Sequence, residues 1–142
     1  MIAEPVAVFY ADASALVKLV REEAESGALR AYFEDADLIS SELVLTEIPR
    51  AVRRAAARDP ALPLDLLLER AGELVDALAL RPLDRALLAG AGAFAEPALR
   101  ALDAIHVASA VDLDPIEAFV TYDERQAAAA RLAGLRTVAP GT

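Results

Sequence analysis

The 142-residue chain contains no cysteine, no tryptophan, one histidine and one lysine. The absence of thiols removes disulfide frameworks, thiolate zinc sites and cysteine nucleophiles together. Aromatic residues make up only 5% of the chain, so its core must be aliphatic. No apolar run approaches the ~20 residues that a membrane helix needs, and no basic stretch followed by an apolar one opens the sequence. No membrane association and a cytoplasmic location are the expectations. Positive charge is scarce as well: 14 basic against 23 acidic side chains give a net charge of -9. That balance argues against generic coating of nucleic acid, which relies on a basic face to displace counterions. It favours a metal, a basic partner, or both.

What is present is material for one core. Hydrophobic residues make up 56% of the sequence, which excludes wholesale disorder, and the length suits a single domain over residues 1–142. Proline and glycine fall between periodic segments as punctuation. Val6 to Tyr10 is an apolar run too short for a helix; it leads through Asp12-Ala13-Ser14 into the helical pattern Leu16, Val17, Leu19, Val20. A second helix around Leu29, Tyr32 and Phe33 precedes a short strand at Leu38-Ile39-Ser40. Ser41 is expected to cap a helix from Glu42 to Arg58, kinked at Pro49, where a backbone hydrogen bond is lost. A helix over 64–77, a strand over 78–81 and a helix capped by Asp84 and ended by Gly90 and Gly92 follow. Pro97 is expected to open a helix reaching about Val111. A strand over Ala118 to Tyr122, a helix from Asp123 to near Gly134 and a strand over Arg136 to Val138 complete the chain. Five strands alternating with helices imply an α/β fold with a parallel sheet covered on both faces.

In such a sheet, ligands bind beyond the carboxyl ends of the strands. Asp12 and Asp123 both lie there, although a helix N-cap alone would explain each of them. Asp103, His106 and Ser109 are the only polar residues between Ala101 and Val111, and their spacing of three sets them on one helix stripe. Asp103, flanked by Leu102 and Ile105, either faces solvent or faces a site. Glu47, between Leu45 and Ile48, is either an exposed partner of Arg50 or Arg54 or a fourth acid of that site. Four carboxylates gathered without a lysine would repel one another, and a hard divalent cation, Mg2+ or Mn2+, relieves this. Such an ion acidifies a water and bridges a phosphate oxygen, the chemistry of phosphodiester hydrolysis.

Four stretches carry a resemblance. They are Phe9-Tyr10-Ala11-Asp12-Ala13-Ser14-Ala15-Leu16-Val17-Lys18-Leu19, Leu43 to Arg50, Leu99-Arg100-Ala101-Leu102-Asp103-Ala104-Ile105-His106-Val107-Ala108-Ser109-Ala110, and Val120-Thr121-Tyr122-Asp123-Glu124-Arg125. With the tail Leu132 to Pro140, their order and spacing resemble PIN-domain ribonucleases, in particular VapC-type toxins of bacterial toxin-antitoxin pairs. The resemblance implies a three-layer α/β/α sandwich with a parallel sheet of order 3-2-1-4-5, and a metal-dependent endoribonuclease. It also implies an RNA substrate, a cognate antitoxin protein and a homodimer. Asp12, Glu47, Asp103 and Asp123 match the family's acidic quartet, as catalytic residues and metal ligands, with Ser14 and Thr121 at accessory polar positions that help to place the substrate. Pro49 departs from the unbroken helix usual after the glutamate, which makes Glu42 the alternative to Glu47. His106 is expected to pack beside the site rather than to ligate.

Arg50, Arg54 and Arg58 extend from Glu47 along one stripe, with Arg53 beside them. They form either a solvated helix face or a track for phosphates, Arg50 and Arg54 being nearest the acids; an acidic antitoxin segment is the other occupant that would suit them. Two enzyme-class alternatives fit less well. A phosphoacceptor receiver domain requires an acidic pair after the first strand and a lysine after the last, whereas the only lysine is Lys18. A haloacid-dehalogenase-like phosphatase requires a second aspartate where Ser14 stands. A PIN fold that binds a partner without catalysis remains the alternative from a different class.

Overall fold

The computed structural model describes residues 5–142. Five strands form one parallel sheet in the order β3-β2-β1-β4-β5. They are β1 (Val8–Ala11), β2 (Asp37–Ser41), β3 (Ala79–Arg81), β4 (Ala118–Val120) and β5 (Thr137–Val138). The helices are α1 (Ala13–Val20), α2 (Ser26–Tyr32), α3 (Val44–Arg58), α4 (Leu64–Asp76), α5 (Arg85–Gly92), α6 (Ala101–Leu113) and α7 (Glu124–Leu132). The expected order and layering are therefore present.

The two-residue period of a strand divides the core. Phe9 and Ala11 of β1, with Ala118 and Val120 of β4, pack on the side of α1, α3 and α4 with Leu16, Val44, Ile48, Val52 and Leu67. Tyr10 and Phe119 point the other way, onto Val107, Ala110, Ala129 and Ala130 of α6 and α7. Because both faces are covered, the central strands read as continuous apolar runs. Tyr10 and Phe119 stack with centroids 5.0 Å apart, the two bulkiest members of a layer that also holds Leu135.

Strand ends shift by one or two residues, β1 lying over Val8–Ala11 and β4 stopping at Val120, and two helix starts and one helix interior differ from expectation. α3 begins at Val44 rather than Glu42: Ser41 is the last residue of β2, and its hydroxyl accepts from the Leu43 amide at 3.1 Å without capping the helix. α3 also runs through Pro49 without interruption to Arg58. The carbonyl left without its partner belongs to Leu45, which is half exposed, so water can take that bond. Pro97 does not open α6. It occupies the second position of a turn closed by the Leu99 amide on the Glu96 carbonyl at 3.3 Å, a position for which its fixed φ is suited. Arg100 is thereby the N-cap residue of α6, and Asp103 lies in the first turn.

Candidate active site

The sheet order reverses at β1, whose neighbours are β2 and β4, and parallel pairing of Ala11 with Val120 sets the ends of β1 and β4 side by side. The residues that follow them, Asp12 and Thr121, meet there. Asp12 is 2% exposed and Thr121 is buried equally well. The Thr121 hydroxyl donates to Asp12 Oδ2, while Oδ1 accepts from the Ser14 hydroxyl at 2.6 Å and from the Ala15 amide at 3.0 Å. The last of these bonds makes Asp12 the N-cap of α1. Burial pushes its carboxyl above the ordinary carboxylate range, and the Ser14 and Thr121 hydroxyls oppose that rise.

Asp123 repeats the arrangement at the exposed rim. Its Oδ1 caps α7, accepting from the Arg125 and Gln126 amides at 2.9 and 3.2 Å. Its own amide donates to the Thr121 hydroxyl oxygen at 3.1 Å, so one threonine ties both aspartates together. In both residues the cap uses Oδ1; Oδ2 of Asp12 accepts from Thr121, and Oδ2 of Asp123 has no partner among the described residues, so capping does not preclude a place in a site.

Glu47 and Asp103 arrive from helices on opposite faces of the sheet. Glu47, in the first turn of α3, accepts from His106 Nε2 at 2.6 Å. His106 is 1% exposed, and its Nδ1 lies 2.7 Å from the Tyr10 hydroxyl. An ionised carboxylate only accepts, so the Nε2 proton faces Glu47, and in the neutral ring Nδ1 then accepts from the phenol. Burial drives the Tyr10 phenol far above its usual range, so it remains a donor. Asp103 has no hydrogen-bond partner for its carboxylate among the described residues. Its carboxyl is raised above the ordinary range, first by burial and then by the charge of Asp123, with Glu47 adding to the rise and His106 and Arg100 opposing it.

All four acids line one cavity of about 620 Å3, together with Ser14, Lys18, Arg50, Arg54, His106 and Gln126. Lys18 does not neutralise them. It is held by Glu25 at 2.8 Å and lies 4.8 Å above the Tyr122 ring. Burial, reinforced by Glu25 and Asp12, pushes the Tyr122 phenol up to about 12, and this donor is fixed on the Pro140 carbonyl at 2.7 Å. Arg50 and Arg54 have no carboxylate within ion-pair distance among the described residues.

The alternative acid, Glu42, does not enter the cavity; its Oε1 accepts from the Leu83 amide at 2.8 Å beyond β3. Thr121 is likewise absent from the cavity wall and touches Asp12 from behind. Arg53 and Arg58 do not line it. Sequence reasoning misses Gln126 and the bracing of His106 by Tyr10. Among the described residues, no three acidic or histidine side chains stand within reach of a single ion. The donor set still suits a hard cation. Asp12 Oδ2 carries one hydrogen bond, and Glu47 Oε2, Asp123 Oδ2 and both oxygens of Asp103 carry none among the described residues. Like charge already burdens Asp103, and a cation would remove that burden.

Comparisons with known proteins identify the family and the fold. The PIN domain family model matches residues 9–132. Ribonuclease VapC35 of Mycobacterium tuberculosis is 38% identical over 141 residues, covering 94% of this chain and 98% of the relative. Ribonuclease VapC47 of the same species is 34% identical over 140 residues, with the same coverage. Among solved structures, PAE2754 from Pyrobaculum aerophilum superposes with a TM-score of 0.63 at 18% identity, covering 93% of this chain and 84% of that one. That likeness concerns the fold. From a family match over most of its length and relatives 34% and 38% identical along nearly the whole of theirs, the chain belongs to the PIN-domain family.

Proposed function

We propose that this protein is a divalent-metal-dependent endoribonuclease and the toxin of a toxin-antitoxin pair. The observation that carries the reading is the convergence of Asp12, Glu47, Asp103 and Asp123 on one cavity that also holds Arg50 and Arg54. The ribonuclease names of its relatives support it.

When bound, Mg2+ or Mn2+ supplies a Lewis acid that lowers the pKa of a water and offsets phosphate charge. Asp12 through Oδ2, which keeps a lone pair beside its bond from Thr121, and the free oxygens of Asp103, Asp123 and Glu47 would hold it. Mg2+ commonly takes one or two carboxylates and completes its shell with water and substrate phosphate, so the acids need not meet at a point. Asp12 is the most rigid of them, fixed by three hydrogen bonds. Ser14 and Thr121 act on the substrate through that carboxylate by fixing its orientation. His106, braced by Tyr10, holds one oxygen of Glu47 and leaves the other available. Arg50 and Arg54 bind flanking phosphates; arginine suits this because its donors form a planar fork.

A second reading, a PIN fold that binds a partner without cutting, has one observation in its favour: no three acids surround a single point among the described residues. Cleavage of single-stranded RNA by the purified protein separates the two. The nuclease reading predicts cutting with Mg2+ or Mn2+, silence in EDTA, and declining activity as pH falls toward the carboxylate range of ~3.9 to 4.3. Undiminished cutting in EDTA contradicts the metal mechanism, and no cutting under any of these conditions leaves the binding module. The proposed antitoxin carries an apolar and basic segment that lies across the acids, complementary to a net charge of -9. Co-purification with the small protein encoded beside it, lost when that segment is removed, checks this. The expected homodimer is checked by light scattering.

A further inference from the structure

A second cavity, of about 340 Å3, lies beside the first and is lined by Arg100, Asp103, Asp123, Glu124 and Arg125. Asp103 and Asp123 belong to both. The two cavities therefore meet at a ridge formed by two of the four acids, one carrying Arg50 and Arg54 and the other Arg100 and Arg125. We propose that Arg100 and Arg125 form a second phosphate-binding wall, so that a single RNA strand crosses the acidic ridge from one arginine pair to the other.

The inference rests on the nuclease reading for the identity of the polymer. A polymer cut internally must leave the reacting phosphate in both directions, and a cavity on only one side of the acids accommodates half of it. Arg100 is fixed by the backbone as the N-cap residue of α6, and Arg125 sits in the first turn of α7, so both side chains are anchored at rigid helix starts. Both are exposed, and neither has a carboxylate within ion-pair distance among the described residues. Other arginines, Arg70 and Arg85 among them, are also without an ion-pair partner among the described residues; what singles out Arg100 and Arg125 is that they line the cavity that Asp103 and Asp123 share with the first. In a chain of net charge -9, an unpaired arginine on each side of an acidic ridge is the feature a polyanion requires there. Contacts of this kind set register and affinity, not base sequence. The second wall accordingly fixes where the strand lies over the acids, while any sequence preference comes from elsewhere.

The test uses the double variant Arg100→Gln/Arg125→Gln, each single variant, and Arg70→Gln on α4 as an exposed arginine outside both cavities. Binding of a labelled single-stranded RNA of about 12 nucleotides is followed by fluorescence anisotropy in Mg2+ across a salt series, with cutting scored on the same samples. Mn2+ calorimetry and thermal melting report on the metal site and the fold. The double variant is expected to lose tenfold or more in RNA affinity and to reduce the salt slope by about 1.4, which is ~0.7 for each single-strand phosphate contact. Mn2+ affinity should stay within twofold, and Arg70→Gln should behave as wild type. If wild type binds and cuts RNA while the arginine variants match it, this inference is overturned and the nuclease reading stands. Wild type that binds RNA through these arginines without cutting supports the second wall and overturns the nuclease reading. Wild type that neither binds nor cuts overturns both.

Discussion

Asp12 and Asp123 illustrate why single residues of this site are readable in the sequence and why their partners are not. Each follows a strand and begins a helix, a signal carried within a few neighbouring residues. The contacts that tune them come from far along the chain: Thr121 reaches Asp12 across 109 positions, and Tyr10 reaches His106 across 96. No local pattern reveals such pairs, although β-sheet order, once inferred, places β4 beside β1. Thr121 is expected to matter more than its distance from the cavity suggests. Thr121→Val keeps the shape but removes a donor to Asp12 and the acceptor for the Asp123 amide. It should cost about 1–3 kcal/mol in denaturant unfolding and weaken Mn2+ binding about 10- to 100-fold, as expected when a residue that orients a ligand is lost. Wild-type values for both would show that the hydroxyl is incidental.

Helices and strands are legible from periodicity because apolar faces must be buried; Glu47 and Asp103 fall within such helices, and Asp12 and Asp123 stand at the starts of two others. Less legible are starts set by backbone hydrogen bonding rather than by residue type. Ser41 and Pro97 both carry helix-start chemistry, yet one ends a strand and the other occupies a turn, because pairing with β3 and closure of the Glu96–Leu99 turn claim those residues first. Pro49 is the clearest conflict between local preference and the fold. It removes a hydrogen bond within the second turn of α3, next to the turn that carries Glu47. Pro49→Ala restores the amide that can donate to Leu45, and should stabilise the protein by about 1 kcal/mol or more, since proline is ~3 kcal/mol poorer than alanine in a helix interior. The melting temperature should rise. A fall instead would mean that the proline ring's packing in the groove between α3 and α4 outweighs the regained bond.

At the scale of the molecule, the fold assembles negative charge where two strands end and surrounds it with unpaired arginines, while a net charge of -9 burdens the whole. The central claim is that this concentration of acid holds a divalent cation, and Asp103 tests it most sharply because nothing among the described residues neutralises its carboxylate by direct contact. Its folded-state carboxyl is raised, so between the ordinary value of ~3.9 and that raised value the native state binds more protons than the unfolded chain. Stability conferred by this group therefore falls as pH rises through that window and stays lower above it. In metal-free buffer at pH 7, Asp103→Asn should melt at or above the wild-type temperature, with the gap closing as pH falls below ~3.9. The decisive measurement is calorimetric titration of Mn2+ into wild type and Asp103→Asn at pH 7. Saturable binding to wild type, weakened tenfold or more in the variant, is the predicted result, because a neutral amide is a poorer ligand for a hard cation. Superimposable isotherms, or no binding to wild type, would contradict the account.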